Sequence, residues 1–465
     1  MKKILFIRPY LPSYSYVVFP PLGIMYLASA IKKWSENELQ IKIIDMNLGR
    51  LGLTDIKKQM QNYKPDIVGV SALTHEASVL YRVSRLAKHI NPDCRVIVGG
   101  PHATIQSQEI LIDNNIDLVV IGEGEKTLSE LINGICQNDD ISLIKGIAYR
   151  TNGKVSFTEP REAIGDLDSL PFPAWDLIDI EKYSRATPNM NVLLAEKIYM
   201  PIFSSRGCPY NCIYCHNIFG KNYRERSPEN ILKEIITLHD QYGVKEFHFV
   251  DDCFNLNKKR VKDICNGIIN EDLKIKIAFP SGLRADILDS ELLAILKAAG
   301  TYLINFAVET ASPRLQKLIE KNMDLEKAGA IIEESEKLGL ITKCNFMLGF
   351  PTETIAEIQK TIDFAVNSPL TFASFFSVTP YPQTALSELI QKEYPGVGPA
   401  DYGQHFFSPQ PFYSVATGIN LREIQKKAYR KFYLSNHRIE KILRLSPRKW
   451  FLARHFLRFF KIFYL

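Results

Sequence analysis

Cys208, Cys212 and Cys215 stand in the run Ser204-Ser205-Arg206-Gly207-Cys208-Pro209-Tyr210-Asn211-Cys212-Ile213-Tyr214-Cys215, a C-x3-C-x2-C spacing. Three thiolates on one short loop can hold three corners of a 4Fe–4S cluster, whose full complement is four cysteines. The fourth iron is then open to a ligand that is not protein, and an open, redox-active iron can pass an electron to a small molecule. A zinc site is the competing chemistry, but zinc knuckles pair their ligands and add a second pair farther on. No later Cys-x-x-Cys or His-x-x-x-His run completes such a set, and His216 adjoins Cys215 too closely to close a tetrahedron. Soft thiolate ligands therefore point to an iron–sulfur cluster.

The other cysteines, 94, 136, 253, 265 and 344, form no pattern and read as small apolar residues. Cys253 and Cys344 fall near strand ends of the same region. A short apolar run opens the chain and is followed by Leu11-Pro12-Ser13 rather than a small-residue cleavage site. No stretch of 18 apolar residues occurs, so the expectation is a cytoplasmic protein.

Strand–helix alternation must position the cysteines. The 465 residues suit about three domains. Over 1–145, apolar runs at Lys3–Ile7, Ile41–Asp45, Asp66–Ser71, Arg95–Gly99 and Asp117–Ile121 read as strands. Helices are expected at Leu22–Lys33, His75–His89, Gln106–Ile112 and from Thr127. Continuous Val/Ile runs between helices predict an α/β domain, a doubly wound Rossmann-like sheet that binds ligands outside its carboxyl strand ends. Residues 146–195 read as a hairpin around Thr151-Asn152-Gly153 and a linker containing Leu170-Pro171-Phe172-Pro173. Over 196–395, strands at Tyr199–Ser204, Glu246–Val250, Lys276–Phe279, Tyr302–Ala307, Thr342–Met347 and Ala373–Val378 predict a partial (β/α)6 barrel. The cysteine loop follows its first strand, at the mouth where such barrels carry function. Residues 396–465 form a C-terminal helical tail.

From Leu421 onward there are 13 Lys or Arg against two Glu, interleaved with Trp450, Phe451, Phe456, Phe459, Phe460, Phe463 and Tyr464. That mixture suits peripheral contact with an anionic membrane or docking of a lipid-like substrate. The bland alternative is a helical pair packed on the body with its basic face solvated. No fold that presents charge to nucleic acid is evident, so none is expected as partner.

With the cysteines placed after a first barrel strand, the segment resembles the signature of the radical S-adenosylmethionine superfamily. The resemblance implies that Cys208, Cys212 and Cys215 bind a 4Fe–4S cluster whose free iron is chelated by the amino and carboxylate groups of S-adenosylmethionine. An external one-electron reductant of the flavodoxin or ferredoxin type would then drive sulfonium cleavage. The resulting 5′-deoxyadenosyl radical would take hydrogen from a small-molecule substrate. Tyr214 would lie by the adenine. Asp251 and Asp252 end the second strand where the family binds the methionine amino group; here they replace glycines, and carboxylates can accept from an ammonium. Arg284 and Asp286, after the third strand, and Glu309 with Ser312, after the fourth, resemble contacts to the methionine carboxylate and ribose. Gly349-Phe350-Pro351 resembles the adenine-side turn. Each alone is equally a helix cap; their order on successive strands carries the reading.

The N-terminal half resembles the branch with a cobalamin-binding domain. Pro20-Pro21-Leu22-Gly23-Ile24, Ser71-Ala72-Leu73, Val98-Gly99-Gly100-Pro101-His102 and Gly122-Glu123-Gly124-Glu125 recur there in the same order. Gly99 and Gly100 remove side chains where a loop must approach a bulky ligand, and Ser71 can hydrogen-bond a buried tail. Many cobalamin domains carry Asp-x-His-x-x-Gly after the second strand. Here the run is Asp45-Met46-Asn47-Leu48-Gly49, so Asn47 replaces the cobalt-binding histidine. His75 and His102 lie near the same rim. Thr379-Pro380-Tyr381-Pro382-Gln383-Thr384 and Tyr429-Arg430-Lys431-Phe432-Tyr433-Leu434 resemble the anaerobic magnesium-protoporphyrin monomethyl ester cyclase branch, which includes enzymes acting on hopanoids. The implied activity is hydrogen abstraction from an unactivated carbon of a large apolar substrate, followed by C-methylation through cobalamin. Radical cyclisation without methyl transfer, and a non-catalytic cobalamin or redox sensor, are the alternatives. A methylthiotransferase would need an N-terminal cysteine set that Cys94 and Cys136 do not make.

Overall fold

A computed structural model describes residues 1–12, 18–186, 193–216, 218–396, 402 and 411–447. The chain folds as two compact units, Met1–Ala186 and Thr187–Leu465.

The first unit is built on a seven-stranded sheet: β1 (Lys2–Arg8), β2 (Leu39–Asp45), β3 (Ile67–Ser71), β4 (Arg95–Gly99), β5 (Leu118–Val120), β6 (Ile147–Thr151) and β7 (Lys154–Phe157). The strand order is β2-β1-β3-β4-β5-β6-β7, with the first five parallel and the last two antiparallel. Alternate residues of the same strands feed two cores. Leu5, Ile7, Val68, Val70, Val96 and Val98 pack with Leu80 and Val83 of the helix Ala77–Ile90. Ile4, Phe6, Ile67, Ile97 and Val120 pack with Ile24 and Ile31 of Leu22–Trp34 and Leu131 of Gly124–Gln137. A sheet covered on both faces needs such uninterrupted apolar strands. The order reverses between β1 and β3, which is the switch point where doubly wound sheets take ligands. The expected hairpin is β6–β7; Asn152 at φ 50° and Gly153 at φ 75° give the two positive angles a tight hairpin turn requires. The helix expected at Gln106–Ile112 is shorter, Ser107–Ile110, and a second short helix that was not expected, Pro101–Ile105, precedes it. Gln106, at φ −118° and ψ 33°, breaks the run between them.

The second unit holds β8 (Tyr199–Ile202), β9 (Ser205–Arg206), β10 (Arg224–Glu225), β11 (Glu246–Phe249), β12 (Lys276–Leu283), β13 (Thr301–Glu309), β14 (Ile341–Leu348) and β15 (Phe372–Ser377). Six of these form a parallel sheet in sequence order, β8-β11-β12-β13-β14-β15, with helices between successive strands. Consecutive order with helical crossovers is the topology of a partial (β/α)6 barrel. The helix Leu421–Tyr433 covers the edge strand β15. Its Tyr429 hydroxyl accepts from Phe375 N (2.9 Å), its Tyr433 hydroxyl accepts from Ala373 N (3.1 Å), and Gln425 Nε2 donates to Phe375 O (2.6 Å). An uncovered edge would leave those backbone groups free to pair with another chain. Several basic residues of this region are spent on the body of the unit. Lys431 pairs with Asp363 (2.6 Å), Lys441 with Glu336 (3.2 Å), and Arg438 donates to the Leu370 and Val366 carbonyls. The aromatic residues Trp450, Phe451, Phe456, Phe459, Phe460, Phe463 and Tyr464 lie outside the described residues. No helix among the described residues is long and apolar enough to cross a membrane.

Candidate functional site

The cysteine loop is closed at its base by a clasp too short to be seen as sequence periodicity. β9 and β10 pair Arg206 with Arg224 and Ser205 with Glu225. Gly207 then turns at φ 87°, and a Cβ there would lie 2.4 Å from the Asn222 carbonyl oxygen, so only glycine fits. Asp251, fully buried at the end of β11, anchors the clasp from behind. Its Oδ1 accepts from Ser204 N (2.9 Å), Ser204 Oγ (2.7 Å) and Ser205 Oγ (2.6 Å). Arg260 adds bonds to the carbonyls of Ser204 (2.6 Å) and Arg226 (2.9 Å).

Within the loop, Cys208 N donates to Gly220 O (3.2 Å) and Cys215 N to Cys212 O (3.1 Å). None of the three is in a disulfide; Cys208 and Cys212 are half-buried and Cys215 is exposed. The Cys253 thiol is hydrogen-bonded to the Cys208 sulfur and draws the Cys208 pKa down, whereas burial pushes that of Cys212 up. Among the described residues, no group of three or more His, Cys, Asp or Glu side chains is arranged to hold a single metal ion. The three-thiol donor set suits a multi-iron cluster instead.

A polar chain leads away from Cys212. The Tyr214 hydroxyl is hydrogen-bonded to the Cys212 sulfur, and burial raises the Tyr214 pKa. Lys321 Nζ donates to Tyr214 Oη (3.2 Å) and pairs with Glu309 Oε1 (3.1 Å). Both charged partners are 8% exposed. Glu309 ends β13 at φ 67°, a conformation that costs a non-glycine residue about 1 kcal/mol or more. Lys321 was not foreseen. It lies twelve residues beyond Glu309, on the far side of the helix Pro313–Leu318, and nothing local marks it.

Arg284 is held on four sides. It grips Asp286 with two bonds (2.8 and 3.0 Å), donates to the carbonyls of Lys321 (2.8 Å) and Asn322 (3.2 Å), and lies 4.0 Å over the Tyr210 ring. It thereby ties the cysteine loop to the Lys321 segment. Asp252 opens to solvent beside the loop and accepts from Gly207 N. Surrounding protein atoms and the neighbouring Asp251 push its carboxyl up to about 6. Gly349 turns at φ 89° after β14, with its N–H on Glu353 Oε2 (2.6 Å), and Phe350 beyond it lies 6.3 Å from the Tyr214 ring. Tyr214, Asp252, Arg284, Asp286, Glu309 and Gly349 thus stand on the loops that follow successive strands. Ser312 is the N-cap of Pro313–Leu318, bonded to Leu315 N (3.3 Å) and Glu357 (2.7 Å).

In the first unit, the loops after β3, β4 and β5 meet. Gly100, at φ 88°, approaches so closely that a Cβ would lie 2.6 Å from Ser71 Oγ. Thr104 Oγ1 accepts from Gly122 N (3.0 Å), and Gly122 has open space where its Cβ would be. Leu73 is 40% exposed there. Glycines that clear a concave strand-end surface fit a broad, flat ligand such as a corrin. Glu123 accepts from Ile164 N (3.1 Å). Asp45 and Asn47 follow β2, on the other side of β1. Asp45 is buried and already engaged: by Asn47 N (2.9 Å), Tyr183 Oη (3.0 Å) and Arg8 (3.5 Å). Burial nonetheless raises its pKa. His75 is held neutral, its pKa lowered to about 4 by burial and the nearby Arg8.

Comparison with known proteins agrees with both halves. The family model described as Radical SAM superfamily matches residues 202–365, and the B12 binding domain model matches 13–132. The chain is 34% identical over 428 residues to the uncharacterized methyltransferase PH0819 of Pyrococcus horikoshii, covering 89% of this chain and 88% of that protein. It is 27% identical over 380 residues to an anaerobic magnesium-protoporphyrin IX monomethyl ester cyclase of Rubrivivax gelatinosus, covering 80% and 66% respectively. The cobalamin-dependent S-adenosylmethionine radical enzyme OxsB, solved with aqua-cobalamin and S-adenosylmethionine bound, superposes with a TM-score of 0.74 at 19% identity, over 99% of this chain and 75% of that one.

Proposed function

Because the chain belongs to the radical S-adenosylmethionine superfamily and carries a B12 binding domain, we propose that it methylates an unactivated carbon of a small-molecule substrate. It is a cobalamin-dependent enzyme of the radical S-adenosylmethionine methyltransferase type. When bound, the 4Fe–4S cluster and S-adenosylmethionine supply one-electron chemistry at carbon, and cobalamin supplies a transferable methyl group.

The observation that carries the reading is the loop of three thiols that also bears Tyr214, whose hydroxyl is held by the Lys321–Glu309 pair. The chain's residues do three things. Gly207, Asp251 and Arg260 fix the base of the loop that carries the three thiols. Lys321 keeps Tyr214 and Glu309 in register, which orients a ring for adenine and a carboxylate for ribose hydroxyls. Asp252 offers an acceptor to the methionine ammonium, while the Arg284–Asp286 pair braces the wall between them. In the first unit, Ser71, Leu73, Gly99, Gly100 and Gly122 would receive the corrin. Asn47, which stands where many cobalamin domains carry a histidine, would offer the cofactor an amide and no imidazole. Lys431, Arg438 and Lys441 are already paired, so an anionic surface would draw on the other basic residues from Leu421 onward.

Anaerobic reconstitution with iron, sulfide, cobalamin and a low-potential reductant tests this. Deoxyadenosine together with S-adenosylhomocysteine supports methylation; deoxyadenosine alone means ring closure or rearrangement. Cys212→Ala abolishes deoxyadenosine formation and leaves cobalamin uptake intact. Loss of both would contradict the assignment of the two cofactors to separate units.

A further inference from the structure

Strand β14 alternates strictly. Thr342, Cys344, Phe346 and Leu348 are buried, and Phe346 meets Phe364 of the covering helix Ile355–Asn367 edge-on at 6.2 Å. The period of two therefore turns Lys343, Asn345 and Met347 to the opposite face, toward the barrel lumen, and all three are only partly buried. Register places Asn305 of β13 and Phe372 of β15 beside Lys343. Ala307 and Ser374 stand beside Asn345, and Phe376 beside Met347. Below these rows Ala278, Leu303 and Ile341 close the lumen with Leu193, Tyr302 and Leu445. A lysine and two asparagines thus stand just above an apolar floor, inside the barrel whose opposite mouth carries the cysteine loop.

Their bonding is incomplete. Lys343 makes no hydrogen bond or ion pair among the described residues, and its pKa is lowered by burial. The one titratable group that bears on it is Cys344, which lies on the other face of the strand with its own thiol pushed up by burial. Asn305 is fully buried; its Nδ2 donates to Pro280 O (3.0 Å), but its Oδ1 has no partner. Asn345 Oδ1 is buried without a partner as well. Barrel interiors rarely keep an ammonium and two amide oxygens with nothing to bond. A buried cation without a counter-charge is costly, and an anion placed against it removes that cost.

We propose that Lys343, inside the barrel lumen, selects a substrate with an anionic end, a carboxylate or a phosphonate or phosphate. Asn305 and Asn345 accept from a hydroxyl or N–H next to that group. Met347 and Phe376, in the next row, face the apolar remainder of the molecule. The substrate is then held anion-down, with its carbon frame toward the mouth. This rests on the reading of the barrel as a substrate-processing unit and adds an anionic end to the large apolar substrate expected there.

The test uses the full chain and two small probes, propionate and ethylphosphonate, with propanol as neutral control. Isothermal titration and thermal shift are measured for the wild type, Lys343→Met and Asn345→Asp. The wild type binds one or both anions saturably and is stabilised by them, while propanol has no effect. Lys343→Met weakens anion binding by about tenfold or more and is itself more stable without ligand, because it removes an unpaired buried charge. Asn345→Asp supplies an internal carboxylate and loses the anion effect in the same way, so the result stands even if one variant folds poorly. Equal affinity in all three proteins, or no anion binding to the wild type, overturns the assignment. Cluster absorbance and deoxyadenosine formation of the wild type are followed in parallel. Their absence in the wild type would count against the radical function instead, independently of the anion result.

Discussion

Substituting Lys321→Met removes the ammonium that holds Tyr214 and Glu309. Nζ and Oε1 are 3.1 Å apart, and at an effective dielectric near 20 the Coulomb attraction is about 5 kcal/mol. Desolvation of both groups offsets most of that, so the pair itself stabilises little. Deleting one member is different, because Glu309 stays buried, charged and in a strained backbone conformation. The cost is then about 3–5 kcal/mol. For a unit of this size, each kcal/mol lowers the melting temperature by about 2–4 °C, so the barrel transition should fall by about 10 °C. The assay is anaerobic calorimetry of the cofactor-free protein, for the wild type, Lys321→Met, Glu309→Gln and the double variant. The double variant should recover more than half of the summed loss, since it leaves no unpaired charge. Strict additivity of the two single effects would refute the coupling and, with it, the role given to Lys321.

Four further outcomes follow from single sites. Gly207→Ala places a Cβ against two backbone carbonyls at 2.4 and 3.0 Å and adds about 1–2 kcal/mol of left-handed strain; iron and sulfide per chain should drop sharply while the first unit melts unchanged. Gly122→Val, where the substituent meets open space, should weaken hydroxocobalamin binding by about tenfold in an absorbance titration at little cost in stability beyond the backbone strain. Glu353 is buried, and burial raises its carboxyl to about 8 from 4.5. The folded state then keeps a proton that the unfolded chain releases, so stability falls as pH rises from about 5 to 8, by up to roughly 4 kcal/mol. Glu353→Gln should flatten that dependence in denaturation curves at pH 5 and 8. Tyr429→Phe and Tyr433→Phe each leave an edge N–H of β15 unpaired and should cost about 1–3 kcal/mol apiece by urea denaturation; an unchanged midpoint would mean that the helix does not seal the edge.

Most of the architecture was legible because, β6 and β7 apart, the strands of the two large sheets are parallel and buried, and such strands announce themselves as apolar runs between helices. The hairpin was legible from Asn152-Gly153, whose backbone freedom is local. The cysteine loop was legible because its chemistry is carried by contiguous residues. What sequence reasoning missed depends on tertiary placement. β9 and β10 are two residues each, too short for any period, and are recognisable only once paired. Lys321 and Arg260 matter through partners far along the chain. Ser312 fits the helix-capping alternative, a local role that its sequence neighbours allow equally well. Tyr429 and Tyr433 stand in a run noted for its resemblance to a family, yet their hydroxyls act on a sheet edge that exists only in the fold. Lys343 reads as an ordinary strand residue until register reveals that, among the described residues, no counter-charge is paired with it.

The central claim is that three thiols leave one iron of a cubane open to S-adenosylmethionine. Electron paramagnetic resonance of the anaerobically reconstituted, reduced protein, recorded with and without S-adenosylmethionine labelled with ¹⁷O at its carboxylate, tests it most directly. A 4Fe–4S signal that shifts and gains ¹⁷O hyperfine coupling on addition is the predicted result. A signal that ignores the labelled molecule, or a metal analysis returning zinc in place of iron and sulfide, would contradict it.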